Sequence, residues 1–357
     1  LRPARTLRFI WPPEIEGTLA LLSVRPELAT KIKAVIHMDM VGGGPNTKAI
    51  FHITRGPTSL PSIIHDVAAS FGRLVNRESD AFASGQTATF PLISPEGGKE
   101  ALQAEFADFE MGSDHQVYNE GSFRIPAIYM NDWPDRYIHT NFDTPANIDP
   151  TKLKRAAFIG AASGYVLANL ASRDAPALWR IFRSQCLRRT ATMLRRRADL
   201  PAAEAQNLTR FHLWYERQTF RSMTRFFKIP QGLESQAEAF FSKLENLVGP
   251  VTPAAAATGN GALVYHRNPN IKGPLQVFGY DYLVDHYGPQ ARAIGLLKYQ
   301  GDRGAGSEYA YEVLNFVDGQ RTVQEIRDAV SAEYGPIPLN LVLEYLGALE
   351  RIGVIKK

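Results

Sequence analysis

What most limits the fold of this chain is the alternation, across residues 1–150, of short apolar runs with helical stretches. That alternation predicts a sheet covered by helices, an α/β unit. It places strands at Leu7–Trp11, Ala34–Met40, Ala49–Ile53 and Ala127–Met130. It places helices at Thr18–Leu28, Leu60–Val75 and Pro150–Leu170, the last after the turn-rich Asp143-Thr144-Pro145-Ala146-Asn147. The stretch Ser79–Lys99 is rich in Ser, Gly and Pro and reads as a loop. A core strand at Leu7–Trp11 would open the chain inside its own sheet, so further sequence is expected upstream of Leu1.

Beyond residue 172 the pattern changes. Leu178–Arg197, Pro201–Phe227 and Leu233–Leu247 have the apolar spacing of amphipathic helices. A loop rich in Ala and Gly, Thr252–Gly261, then leads to Tyr309–Val317, Thr322–Tyr334 and Leu339–Ile352, short helices with tight turns. The expected organisation is an α/β domain over 1–172, a helical region over 173–250 and a small winged-helix-like domain over 262–357.

Composition narrows the function classes. Hydrophobic residues make up 45% and charged residues 21%, enough for a folded chain with a core. The net charge of +4 is too small to imply a polyanionic partner by itself. The arginines at 188, 189, 195, 196 and 197 read as the solvated face of a helix. Helix Leu339–Ile352 offers Asn340, Glu344, Glu350 and Arg351, a poor set for a DNA groove, so no nucleic acid is expected. No apolar run approaches the roughly 20 residues of a membrane span. One cysteine, Cys186, excludes an intramolecular disulfide and any cysteine-rich zinc module, and it favours a reducing, cytoplasmic compartment. An N-terminal signal would lie in the sequence expected upstream, so the compartment stays open.

Four segments carry chemistry, all before residue 150. In Trp11-Pro12-Pro13-Glu14-Ile15-Glu16-Gly17-Thr18, carboxylates stand where a strand would end and a helix begin. In Val35–Gly44, Asp39 lies inside an apolar strand beside a glycine-rich exit, and His37 shares its face. A buried acid there costs several kcal/mol unless it is paired or binds metal. The third segment is Met111-Gly112-Ser113-Asp114-His115, leading to Ile125-Pro126-Ala127. The fourth is His139-Thr140-Asn141-Phe142-Asp143-Thr144-Pro145, a histidine with a carboxylate four residues on that could fix its tautomer.

The order Pro-Glu-x-x-Gly-Thr, Asp-Met-Val-Gly, Gly-Ser-Asp-His, Ile-Pro-Ala and His-Thr-x-x-Asp-Thr-Pro resembles the zinc-dependent aminopeptidases and carboxypeptidases of peptidase family M28. The resemblance covers residues 6–170. It implies a mixed, mainly parallel sheet between helices and a site for two zinc ions. It implies that Asp39 and His139 are metal ligands and that Glu14 is the catalytic proton carrier. Asp114 and His115 would support the substrate side, and Asp143 would stand behind His139. The implied reaction is exopeptidase hydrolysis of a peptide or small amide, of the aminopeptidase type, with carboxypeptidase action left open.

Two departures from the family pattern follow. Ile15 stands where the family carries a second, metal-binding glutamate. The family's His-x-Asp motif and bridging aspartate would precede residue 1. Glu16 and His37 are the possible additional ligands. Two other readings stay open: a non-catalytic peptidase-like binding or scaffold protein, and a nucleic-acid-binding regulator acting through the C-terminal unit. Oligomeric state is not legible.

Overall fold

A computed structural model describes residues 2–277 and 279–357. The first region runs α1 (Glu16–Val24), α2 (Pro26–Lys31), β1 (Val35–Met38), β2 (Ile50–Thr54), α3 (Ile64–Ala83), α4 (His115–Asn119), β3 (Ala127–Trp133) and α5 (Pro150–Asn169). The sheet has the order β1-β3-β2, with β1 parallel and β2 antiparallel to β3. The chain is thus a mixed α/β structure. β3 is buried from Ala127 to Asp132, as a central strand covered on both faces must be. The helix expected over Thr18–Leu28 is two helices, broken at Arg25, because Pro26 cannot donate to a continuing ladder and starts α2 instead.

Leu7–Trp11 is not a strand. It has no regular structure, and Phe9 and Trp11 are 75% and 85% exposed. Alternating bulky residues gave it a strand's pattern, yet no neighbouring strand pairs with it among the described residues. The two rings stack on each other instead, 6.0 Å apart.

Next come α6 (Ala175–Ala198), α7 (Ala202–Arg221) and α8 (Gln231–Val248). Their apolar faces continue the core of the sheet: Phe51, Ile128 and Met130 belong to one buried cluster with Trp179, Phe182, Phe220 and Phe241. The arginines of α6 are not simply a solvated face. Arg189 sits between the buried carboxylates of Asp66 and Glu216. Arg196 donates to the carbonyls of Ala332 and Glu333, and Arg197 to that of Val248. No helix among the described residues is long and apolar enough to cross a membrane.

The C-terminal region contains β4 (His266–Arg267), β5 (Gln276–Val277), β6 (Tyr280–Asp281), α9 (Tyr282–Tyr287), α10 (Gly295–Lys298), α11 (Gly306–Asn315), α12 (Val323–Tyr334), α13 (Leu339–Arg351) and β7 (Ile355–Lys356). It has its own core, which includes Tyr309, Phe316, Ile326, Leu346 and Leu349. Thr322 opens α12 with a capping box: its hydroxyl accepts from the Glu325 N–H, and the Glu325 carboxylate accepts from the Thr322 N–H.

Two buried acids hold this unit against the loop after β2. Glu312 accepts from the Ser59 N–H (2.9 Å) and hydroxyl (2.6 Å). Glu333 accepts from the Thr58 N–H (3.1 Å) and hydroxyl. Burial, then the charge of Glu312, push Glu333 well above the usual carboxylate range. The folded chain therefore keeps a proton that the unfolded chain releases near pH 4.3. Stability from this group is full below that pH and is lost as pH rises through the raised folded value. Glu333→Gln, which needs no proton, is expected to melt at a Tm that falls less than the parent's between pH 5 and 8. Parallel Tm profiles would show that Glu333 carries its charge without cost.

Candidate active site

The site lies at the C-terminal end of β1, where open α/β sheets place their ligands. Asp39 follows the strand, its N–H bonded to the Met130 carbonyl at 3.2 Å. Glu14 precedes α1. Between them stands Ser113, fully buried. Its Oγ lies 2.9 Å from Glu14 Oε1, 3.0 Å from Asp39 Oδ2 and 2.8 Å from His37 Nε2. A hydroxyl has one proton to donate and two lone pairs to accept with. With His37 Nε2–H donating to it, Ser113 can donate to only one of the two carboxylates. The other carboxylate oxygen has no donor at this hydroxyl until the carboxylate takes up a proton.

Glu14 is the group suited to take such a proton up. Its partial burial raises its pKa, and the charges of Asp39 and Asp114 raise it further, against the opposing effects of the Ser113 hydrogen bond and of His139. Burial lowers His37, outweighing the charges of Asp114 and Asp39, so its imidazole is neutral. Burial, then Asp39 and Glu14, push the Tyr129 hydroxyl up, so it stays protonated.

The turn that aims Glu14 is strained. Ile15 has φ 61° and ψ −63°, a positive φ that is an outlier for a β-branched residue. Two contacts hold it there. Its N–H donates to Asp114 Oδ1 at 3.0 Å, and its side chain is buried with Leu22, Val117 and Ile125.

His115 is wholly buried and stacked on Tyr129, with ring centroids 4.3 Å apart. Its Nε2 bonds the Glu110 carbonyl at 2.6 Å, and its Nδ1 has no partner among the described residues. Burial holds it down to about 3, so it is neutral. His139 also takes a positive φ, 58°, on an exposed loop. It acts to lower the pKa of Glu14. Asp143 is exposed, and no hydrogen bond joins it to His139 among the described residues. Glu16 turns away, with its carboxylate against the Gly279 turn.

Three contributors escaped the sequence reading. Ser113 stood inside a quoted motif without a role, and Tyr129 had no signal at all. Asp132 had the same signal as Asp39, an acid at the end of an apolar strand. It is fully buried, pairs with Lys152 and accepts from the N–H groups of Gly42 (2.7 Å) and Gly43 (2.8 Å). It thereby fixes the glycine exit that follows Asp39.

A catalytic zinc takes three protein ligands and keeps one position open. Among the described residues, no three His, Cys, Asp or Glu side chains converge as a metal site. Ile15 is turned into the core, Glu16 is turned away, and Asp39 is bonded to Ser113. The described residues by themselves therefore do not fit a zinc centre.

No curated protein matches the chain. A solved structure from Clostridium acetobutylicum, provisionally named a peptidase, shares 11% identity over 96% of this chain and 46% of its own, with a TM-score of 0.26. The chain thus spans less than half the length of that protein, and a likeness this slight says nothing further. Residues 14–163, which hold every side chain of the site, match the model of peptidase family M28.

Proposed function

We propose that this chain serves in the hydrolysis of peptides or small amides as an exopeptidase of the aminopeptidase type, with Glu14 as the proton carrier. The observation that carries the proposal is the meeting of Glu14, Asp39 and His37 on Ser113, inside the segment that matches the peptidase family. A general base works best when its pKa is raised towards the working pH. Glu14 has that shift. It would take the proton of the attacking water and return it to the leaving amine. Ser113 orients Glu14, and the strained Ile15 turn, locked by Asp114, sets its direction. Tyr129 keeps a protonated hydroxyl beside the carboxylates. Asp39 and His139 are the two positions that would meet zinc, and a third donor is needed beside them.

The test is release of the amino acid from a small aminoacyl amide, with zinc in excess and then with a chelator. Chelator-sensitive release supports the proposal. A folded chain that releases nothing at saturating zinc favours the second reading, a non-catalytic peptidase-like binding module. The burial of Ile15 at the family's ligand position is what speaks for that module. For the winged-helix-like C-terminal unit we propose a packing role, since Glu312 and Glu333 bind it to the loop after β2.

A further inference from the structure

A cavity of about 800 Å³ lies away from the Ser113 cluster. It is bounded by the loop after β2, the Gly121–Arg124 turn, the end of α7 and the C-terminal unit from His266 to Arg321. Four guanidinium groups line it: Arg124, Arg221, Arg267 and Arg321. Arg267 is paired with Glu120, and Arg321 with Asp318. Arg321 also lies over the Trp214 ring, 5.0 Å from its centroid. Arg124 and Arg221 form neither an ion pair nor a side-chain hydrogen bond among the described residues. Two of the four cations, Arg124 and Arg221, thus face the cavity without a paired carboxylate.

Arginines that serve the fold in this chain are recognisable by what they hold. Arg189 holds two carboxylates, Arg155 the Glu100 carbonyl, and Arg225 the carbonyls of Ile32 and Lys33. Arg124 holds nothing and is still brought close to other cations. Burial and the neighbouring charges of Arg321 and Arg267 depress it, partly offset by Asp318 and Glu312. Its backbone also takes a positive φ of 51°, a conformation in which a side chain other than glycine is uncommon. Arg124 and Arg221 are both exposed, so their guanidinium groups are open to an anion entering the cavity. Guanidinium forks suit oxyanions, which they bind through paired N–H groups. The volume falls within the range of small-molecule sites.

We propose that this cavity binds a small molecule through a dianionic phosphate group, held by Arg124 and Arg221 and framed by the two paired arginines. The proposal is independent of the peptidase reading.

Calorimetric titration of the 357-residue chain with inorganic phosphate, at fixed ionic strength with chloride as the reference anion, is the test. Saturable one-to-one binding is expected, weakened about tenfold or more in Arg124→Gln and in Arg221→Gln, as loss of a charged hydrogen bond implies. Adenosine monophosphate tests the source. Tighter binding than inorganic phosphate means that the group anchors an organic ligand, and equal binding means that the free ion is the ligand; either supports the proposal. Succinate binding more tightly than phosphate would overturn the phosphate assignment. No saturable binding, or binding unchanged in both variants, would overturn the site. A melt in phosphate-free buffer is the second readout. Arg124→Gln should raise Tm, because it removes a cation from among cations. A lowered Tm would make Arg124 a structural cation and count against the proposal.

Discussion

Arg189→Met is expected to destabilise the chain by about 3–5 kcal/mol, the usual cost of removing one partner from a buried ion-pair group. Arg189 on α6 meets Asp66 of α3 on one side and Glu216 of α7 on the other. The Glu216 contacts are 2.6 and 2.8 Å, and both carboxylates are essentially inaccessible to water. Burial alone would raise Glu216, but the Arg189 charge and hydrogen bonds outweigh it and hold the carboxyl down to about 2. For Asp66 burial wins over its share of the same guanidinium, and its pKa is raised. Methionine would fill most of the space while taking from two buried acids the counter-charge they are paired with. The cost is in desolvation, not packing. Urea unfolding followed by circular dichroism measures it. A loss below about 1 kcal/mol, the value of an exposed pair, would mean that water reaches these carboxylates.

Glu14→Gln is expected to reduce hydrolysis of an aminoacyl amide by about a hundredfold to ten-thousandfold, with zinc in excess, the span that a positioned general base contributes. KM should change little, since glutamine keeps the shape and can still hydrogen-bond Ser113. The fold should be unaffected, because Glu14 is largely exposed and its only side-chain hydrogen bond among the described residues is to Ser113. Matched rates in parent and variant would remove Glu14 from the role proposed for it. A matched loss of rate and of Tm would make the residue structural.

Much of this architecture could be read from the sequence. The three helices after residue 172 and the last three helices lie within three residues of their expected bounds, except that the helix expected over Pro201–Phe227 ends at Arg221, because their apolar spacing is regular and packing agrees with it. Leu7–Trp11 failed because a period-two pattern requires a partner strand, and a partner is a tertiary fact. The Arg189 triad was not legible either. Its three members are more than a hundred residues apart at the widest, and arginine on a helix reads as solvent-facing until the opposing acids are placed.

At the site, Glu14 and Asp39 were legible because acids at the end of an apolar strand or the start of a helix need a reason to be there. The centre of the cluster was not. Ser113 is ordinary in sequence, and only the fold reveals one hydroxyl within 3.0 Å of two carboxylates and a histidine. The separation of Glu16 from Asp39 was equally hidden. It depends on the positive φ of Ile15, which turns one carboxylate towards the cluster and its neighbour towards Gly279.

The central proposal is that Glu14, Asp39 and His139 would form one side of a peptidase centre and fall short of a complete zinc site by themselves. Zinc per chain, measured by elemental analysis of the 357-residue protein after dialysis against trace zinc, tests it most directly. The account predicts fewer than one zinc per chain, readily lost to further dialysis. Two zinc ions retained per chain would contradict it, and would mean that side chains now apart, Glu16 and His115 among them, close around the metal.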